Sequence, residues 1–194
     1  MRSVFDLADK QGWIDRNVMK KLKRMSEEEA DIYPFSLQEI SAIVEAMEPW
    51  YRPYTETAFF TGMRLGEINA LRWDDYHPDM ANGPHLLIKR TYVYGQDGAP
   101  KTKKSKRSVL CLPEVVHALL TQRTFTGHLS HIFLTRDHQR VTPDHFREVV
   151  WVPALKKAKI EYRPPIQTRH TFATMMLSAN EDIGWVQNML GHAF

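Results

Sequence analysis

Between Leu86 and Leu112 the chain changes period, and that change most limits the folds open to it. Leu86-Leu87-Ile88, Thr91 to Tyr94 and Ser108 to Leu112 are rich in β-branched and aromatic residues. Gly83-Pro84, Gly95-Gln96-Asp97-Gly98 and Pro113 bound these runs with residues that turn or end strands. On both sides apolar residues recur at helical spacing instead. The expectation is an α+β chain, mostly α-helical, with a small antiparallel three-stranded sheet. Trp73 to Tyr76 is a further candidate for one of its strands.

The helical signals are specific. Ser36-Leu37-Gln38-Glu39 fits a capping box, in which the serine oxygen and the glutamate three residues on each accept a free backbone N–H. Leu37, Ile40, Ile43, Val44 and Met47 follow on one face, and Pro49 ends the run. A second helix starts near Pro53, where a missing N–H is tolerated, and runs to Gly62. Leu65 to Leu71 reads as a short third helix. Further helices are expected over Pro113 to Gln122, Pro143 to Lys159 with a kink or break at Pro153, Gln167 to Ser178, and Asp182 to Leu190.

At 194 residues the chain suits one domain plus an appendage. Its 43% hydrophobic and 25% charged residues exclude disordered and fibrous classes. A single cysteine, Cys111, cannot close an internal disulfide, and no apolar run approaches a membrane span, so a cytoplasmic location is expected. The net charge of +3 is too small to name a partner, but its distribution is informative. Arg16, Lys20, Lys21, Lys23 and Arg24 form one acid-free block, and Lys101, Lys103, Lys104, Lys106 and Arg107 form another. Such blocks are the footprint of a polyanion, or else a solvated face.

Four pieces carry candidate chemistry. They are Gly62-Met63-Arg64-Leu65-Gly66-Glu67, the turn lysine Lys101, Gln167-Thr168-Arg169-His170-Thr171-Phe172-Ala173, and Leu190-Gly191-His192. Glu67, on the turn after Arg64, can fix that guanidinium. Guanidinium forks grip the non-bridging oxygens of a phosphodiester, and preorganised donors can take over a metal's electrostatic role. A lysine on a turn can protonate a departing sugar oxygen.

Together these runs resemble the catalytic domain of the tyrosine recombinase (phage integrase) family. The resemblance covers about Phe35 to His192, and residues 3 to 24 resemble the end of the core-binding domain that precedes it. It implies residues 1–30 as a core-binding remnant and linker, and 31–194 as a catalytic domain of the DNA breaking-rejoining fold. By position, Arg64 and Arg169 would bind the scissile phosphate and Lys101 would be the general acid, with Lys103 its rival. His192 would donate to the phosphate, and Glu67 would be the buried acid behind the arginines. Lys20, Lys21, Lys23, Lys103, Lys104, Lys106 and Arg107 would follow the DNA backbone. The family implies site-specific recombination of double-stranded DNA without a metal or other cofactor. It also implies assembly into a tetramer on DNA for a full-length protein, with a monomer expected for this chain alone.

Two departures stand out. The position three residues before Arg169, usually a histidine in the family, is Ile166, which cannot exchange a proton. His170 lies about 100° around the helix from Arg169 and reads as a packing group. The family's attacking tyrosine follows the Leu-Gly-His run, yet Tyr33, Tyr51, Tyr54, Tyr76, Tyr92, Tyr94 and Tyr162 all precede it. The expectation is a domain that binds DNA and forms no covalent link to it.

Other readings are weaker or narrower. His128-x-x-His131, with His138 and His145, lacks any zinc-site companion motif. A non-catalytic DNA-binding module or regulator would use the same bases for phosphate contacts alone. Type IB topoisomerases use a similar cage, but the wording of these runs is closer to prophage and other mobile-element integrases. A helical adaptor would leave the basic runs unused.

Overall fold

The computed structural model describes residues 2–17, 32–93, 95–98 and 106–191. Lys20, Lys21, Lys23, Lys101, Lys103, Lys104 and His192 lie outside the described residues. The chain divides into two compact units, Met1–Asp31 and Ile32–Phe194. In the first, helix α1 (Arg2–Lys10) ends in a turn at Gly12, whose φ of +68° favours glycine. The Asn17 side chain donates to Asp6 at 2.7 Å.

The second unit begins with an extended segment fastened to later elements. The Tyr33 N–H donates to Gln167 Oε1 at 3.1 Å, and the Phe35 N–H to Thr171 Oγ1 at 2.9 Å. The Arg163 guanidinium lies 4.2 Å from the ring centres of both Tyr33 and Phe35, donates to the Pro34 carbonyl and pairs with Glu39. Cation–π contact and ion pairing together make this cluster rigid.

Helix α2 (Leu37–Ala46) starts at the expected capping box: the Glu39 N–H donates to Ser36 Oγ at 3.2 Å, and the Ser36 N–H to Glu39 Oε2 at 2.8 Å. Ile40 and Ile43 face inward. After a 3-10 turn over Pro49–Tyr51, helix α3 (Arg52–Thr61) runs through the core with Tyr54, Ala58 and Phe59 buried. Its buried threonines bring polar atoms with them. Thr57 donates to the Pro53 carbonyl at 2.8 Å and Thr61 to that of Thr57 at 2.6 Å, so neither hydroxyl is left unsatisfied. Helix α4 (Leu65–Ile68) is shorter than the expected run to Leu71.

The expected three-stranded antiparallel sheet is present, in the order β1 (Tyr76–His77), β2 (His85–Ile88), β5 (Arg107–Leu110). Leu86 stands opposite Val109, both fully buried, and Ile88 stands opposite Arg107. Two strands differ from expectation. Trp73–Asp75 forms a 3-10 turn just ahead of β1. Thr91–Val93 (β3) leaves the sheet and pairs with Gln96–Gly98 (β4) as a separate hairpin. Lys89 and Arg90 both bind buried Asp75, at 3.1 and 2.6 Å, which turns the chain off the sheet after Ile88. Val93 then pairs with Gln96, only three positions on, beside Gly95 at φ +76°, and such local pairing needs little chain closure.

Helix α5 (Pro113–Thr126) follows the sheet. The expected break at Pro153 takes a particular form. Helix α6 (Pro143–His145) passes into a π-helical stretch over Phe146–Trp151, and α7 (Val152–Ala158) carries Pro153 in its first turn. Proline has no N–H to return to the preceding turn, and the wider π geometry absorbs the mismatch. Helices α8 (Gln167–Ser178) and α9 (Ile183–Leu190) complete the unit; Asp182 caps α9, and Gly191 ends it at φ +68°. Phe35 meets Phe59 and Trp151 edge-on in the core, 5.6 Å from each ring. Burying side chains of this size stabilises by about 1.5–3 kcal/mol each.

Candidate functional site

The site forms where the ends of α3, α8 and α9 meet at the start of α4. Helix α3 stops at Gly62, which adopts φ +63°. A Cβ there would sit 2.5 Å from Phe172 Cδ1 and 2.7 Å from Leu190 Cδ2, so the turn is closed against both later helices. The chain then extends through Arg64, which opens α4. Glu67, one turn into α4, reaches back: the Arg64 N–H donates to Oε2 at 3.0 Å and Arg64 Nη1 to Oε1 at 3.1 Å. The Arg64 side chain is 44% exposed, whereas that of Glu67 is 1% exposed.

A buried carboxylate needs a further counter-charge, and Arg107 supplies it. Its Nη1 and Nη2 donate to Glu67 Oε1 and Oε2 at 3.0 and 2.9 Å, and its Nε donates to the Met189 carbonyl at 2.8 Å. Burial pushes the Glu67 pKa up, but hydrogen bonding and charge from Arg107 outweigh it and hold the group below its ordinary range. This corrects the expectation that Arg107 lies on an open DNA-tracking face: its side chain is 3% exposed. The signal was present in the sequence. In β5 the period of two places Arg107 on the same face as Val109, which points into the core. Lys106, one residue earlier, is exposed.

Arg169 occupies the first turn of α8 and is buried. Its Nη1 donates to the Gly62 carbonyl at 2.7 Å, while its buried Nη2 has no hydrogen-bond partner among the described residues. Burial first, and then the charges of Arg64 and Arg107, bring its pKa down to about 10, with Glu67 pulling the other way. Three guanidinium groups thus lie within electrostatic reach of one carboxylate. The surplus positive charge and the unused donor are suited to an anion with several oxygens.

Arg64, Glu67 and Arg169 are therefore brought together, and Arg107 joins them. The neighbours of Arg169 differ in kind. Ile166, at the N-cap of α8, is 43% exposed. His170 is half-buried, and burial and the adjacent Arg169 charge lower its pKa. Other histidines have partners away from the site: His145 bonds to the Tyr51 hydroxyl, and His138 stacks on Trp50 and meets His128 edge-on. Among the described residues no group of three or more His, Cys, Asp or Glu is placed to hold a metal. No described helix is long and apolar enough to cross a membrane.

Residues 32–194 match the model of the phage integrase family. The chain belongs to that family. A relative, the prophage integrase IntR of Escherichia coli K12, is 27% identical over 98% of this chain and 52% of its own length. The putative defective protein IntQ of the same strain is 25% identical over the whole chain and 55% of its own. The chain thus spans about half the length of these curated relatives. Among solved structures, the Tn1549 transposon integrase in complex with a circular-intermediate DNA superposes with a TM-score of 0.76 at 16% identity, covering all of this chain and 69% of that one. A lambda integrase dimer bound to a core site gives 0.68 at 16% identity, again over the whole of this chain and 69% of the other. The fold is that of tyrosine recombinase catalytic domains, mostly helical with a small antiparallel sheet.

Proposed function

We propose that this chain grips one phosphodiester of double-stranded DNA for metal-free strand transfer in site-specific recombination. Arg64 and Arg169 hold the non-bridging oxygens, and Glu67 keeps Arg64 in place. Lys101, or Lys103 in its stead, protonates the leaving sugar oxygen, and His192 donates to the phosphate. Exposed Lys106, with Lys20, Lys21, Lys23 and Lys104, contacts neighbouring phosphates. Residues 1–30 are read as the end of a core-binding domain and 31–194 as the catalytic domain. The carrying observation is the buried, unpartnered Nη2 of Arg169 beside the exposed guanidinium of Arg64.

Within residues 1–194 the reading assigns no attacking tyrosine. Tyr51 and Tyr54 are buried and hydrogen-bonded, while Tyr33 and Tyr92 stack on Arg163 and Arg140. On this reading residues 1–194 bind DNA as a monomer and form no covalent adduct, while a full-length protein assembles into a tetramer on DNA. The setting is the bacterial cytoplasm. A non-catalytic DNA-binding regulator is the second reading, favoured by the exposed isoleucine at position 166.

Binding to a DNA duplex measured across a salt series tests the first step. Affinity should fall steeply with salt, because each neutralised phosphate releases counterions. A flat response would refute phosphate tracking. A suicide DNA substrate tests the second: an adduct mapped to any tyrosine of residues 1–194 would overturn the assignment.

A further inference from the structure

Arg107 links Glu67 to the last turn of α9, and its buried side chain is too deep to reach DNA. Its guanidinium binds both oxygens of Glu67, and those same oxygens accept from the Arg64 N–H and Arg64 Nη1. Its Nε holds the Met189 carbonyl in the last turn of α9. Gly191 closes over it: a Cβ at that position would lie 2.8 Å from Nη1 and 3.0 Å from Cζ. In sequence, Arg107 follows the basic stretch that contains Lys101 and Lys103, and Gly191 precedes His192.

We infer that Arg107 is a positioning residue that assembles the phosphate cage by setting Arg64 through Glu67. This rests on the phosphate-binding reading above. Without Arg107, the buried Glu67 loses the charge that keeps it ionised and the contacts that fix its plane. Arg64 then loses the fixed acceptor that aims it. Lysine in place of Arg107 keeps the charge but cannot make the planar two-oxygen contact and the Nε contact together.

A double-mutant cycle on binding of the full chain to a mixed-sequence DNA duplex tests this, with every measurement made well below the melting temperature of each variant. Arg64→Ala should weaken binding about tenfold or more, and Arg107→Met about as much. The double variant should bind about as weakly as Arg64→Ala alone, because Arg107 acts through Arg64. Arg107→Lys should recover part of the loss. Losses that multiply in the double variant, or normal binding by Arg107→Met, would overturn the inference and leave the phosphate reading standing. Unchanged binding by Arg64→Ala would overturn the phosphate reading, and the inference with it. Should Arg107→Met fail to fold, the same cycle with Arg107→Lys decides: a non-additive loss supports the inference and a multiplying one overturns it.

Discussion

Arg169 Nη1 donates to the Gly62 carbonyl oxygen at 2.7 Å, which ties the helix carrying one arginine to the turn that presents the other. The bond uses one arm of the guanidinium and leaves Nη2 buried without a partner. Its burial and the nearby Arg64 keep the Arg169 pKa near 10, against an ordinary 12.5. The folded-state value of this base lies below its unfolded value. Its charge therefore costs stability at neutral pH, and the cost begins to fall as pH rises past about 10 and is gone only above the ordinary 12.5.

An anion that satisfies Arg169 should relieve this cost. Pyrophosphate or sulfate is expected to raise the melting temperature, by about 2.7 kcal/mol of stability at a hundred times its Kd. The gain should vanish in Arg169→Met and shrink as pH rises through about 10, where the guanidinium loses its proton. Thermal melts with and without anion across pH are the measurement, and an equal gain in Arg169→Met would contradict the site.

Gly62→Ala should be strongly destabilising. It places a side chain at φ +63° and drives a Cβ to 2.5 Å from the buried Phe172 ring. Backbone strain and overpacking each cost about 1–3 kcal/mol. Urea unfolding should show that loss, while Gly95→Ala, also at positive φ in the same unit but with no described atom within 4 Å, should show only the backbone part.

Glu67 makes stability depend on acid. Burial raises its pKa, but the Arg107 pair more than offsets this, so the folded-state value is depressed. The contribution is present above the ordinary value of 4.5 and lost as pH falls through the depressed one. Glu67→Gln should flatten that acid limb. At neutral pH it should cost about 3–5 kcal/mol, because Arg107 is left buried without its counter-charge. Denaturant melts from neutral pH into the acid range read both effects.

The β3–β4 hairpin lies against Gly66 of α4 and is also fastened by Arg140. Arg140 donates to Asp97 at 2.9 Å and to the Asn69 carbonyl at 3.2 Å, and its guanidinium lies 4.0 Å from the Tyr92 ring centre. Arg140→Ala should speed amide exchange in Thr91–Val93 by roughly tenfold, the loss of about one charge-assisted bond. Exchange in β2 and β5 should be unchanged. Hydrogen-exchange mass spectrometry resolves the two.

Features encoded by neighbours in sequence were the ones that could be read. The Ser36–Glu39 box, the glycine end of α3 and the full length of α8 each depend on residues within a turn or two. The departure of Thr91–Val93 from the sheet was not legible, because it depends on Asp75 capturing Lys89 and Arg90 from earlier in the chain. The Arg107–Glu67 pair joins positions 40 residues apart, and a basic run around Arg107 masks the strand alternation that turns it inward. Arg64 and Arg169 could be named from their local runs, but the bond from Arg169 to Gly62 spans 107 residues and follows only from the packed helices.

The segment that leads into the second unit binds α8 through Gln167 and Thr171, on either side of Arg169. Tension applied to the polypeptide at Ile32 is therefore borne by the first turn of the helix that holds the anion-binding arginine. The molecule has its mechanical handle and its most exacting electrostatic element on one rod.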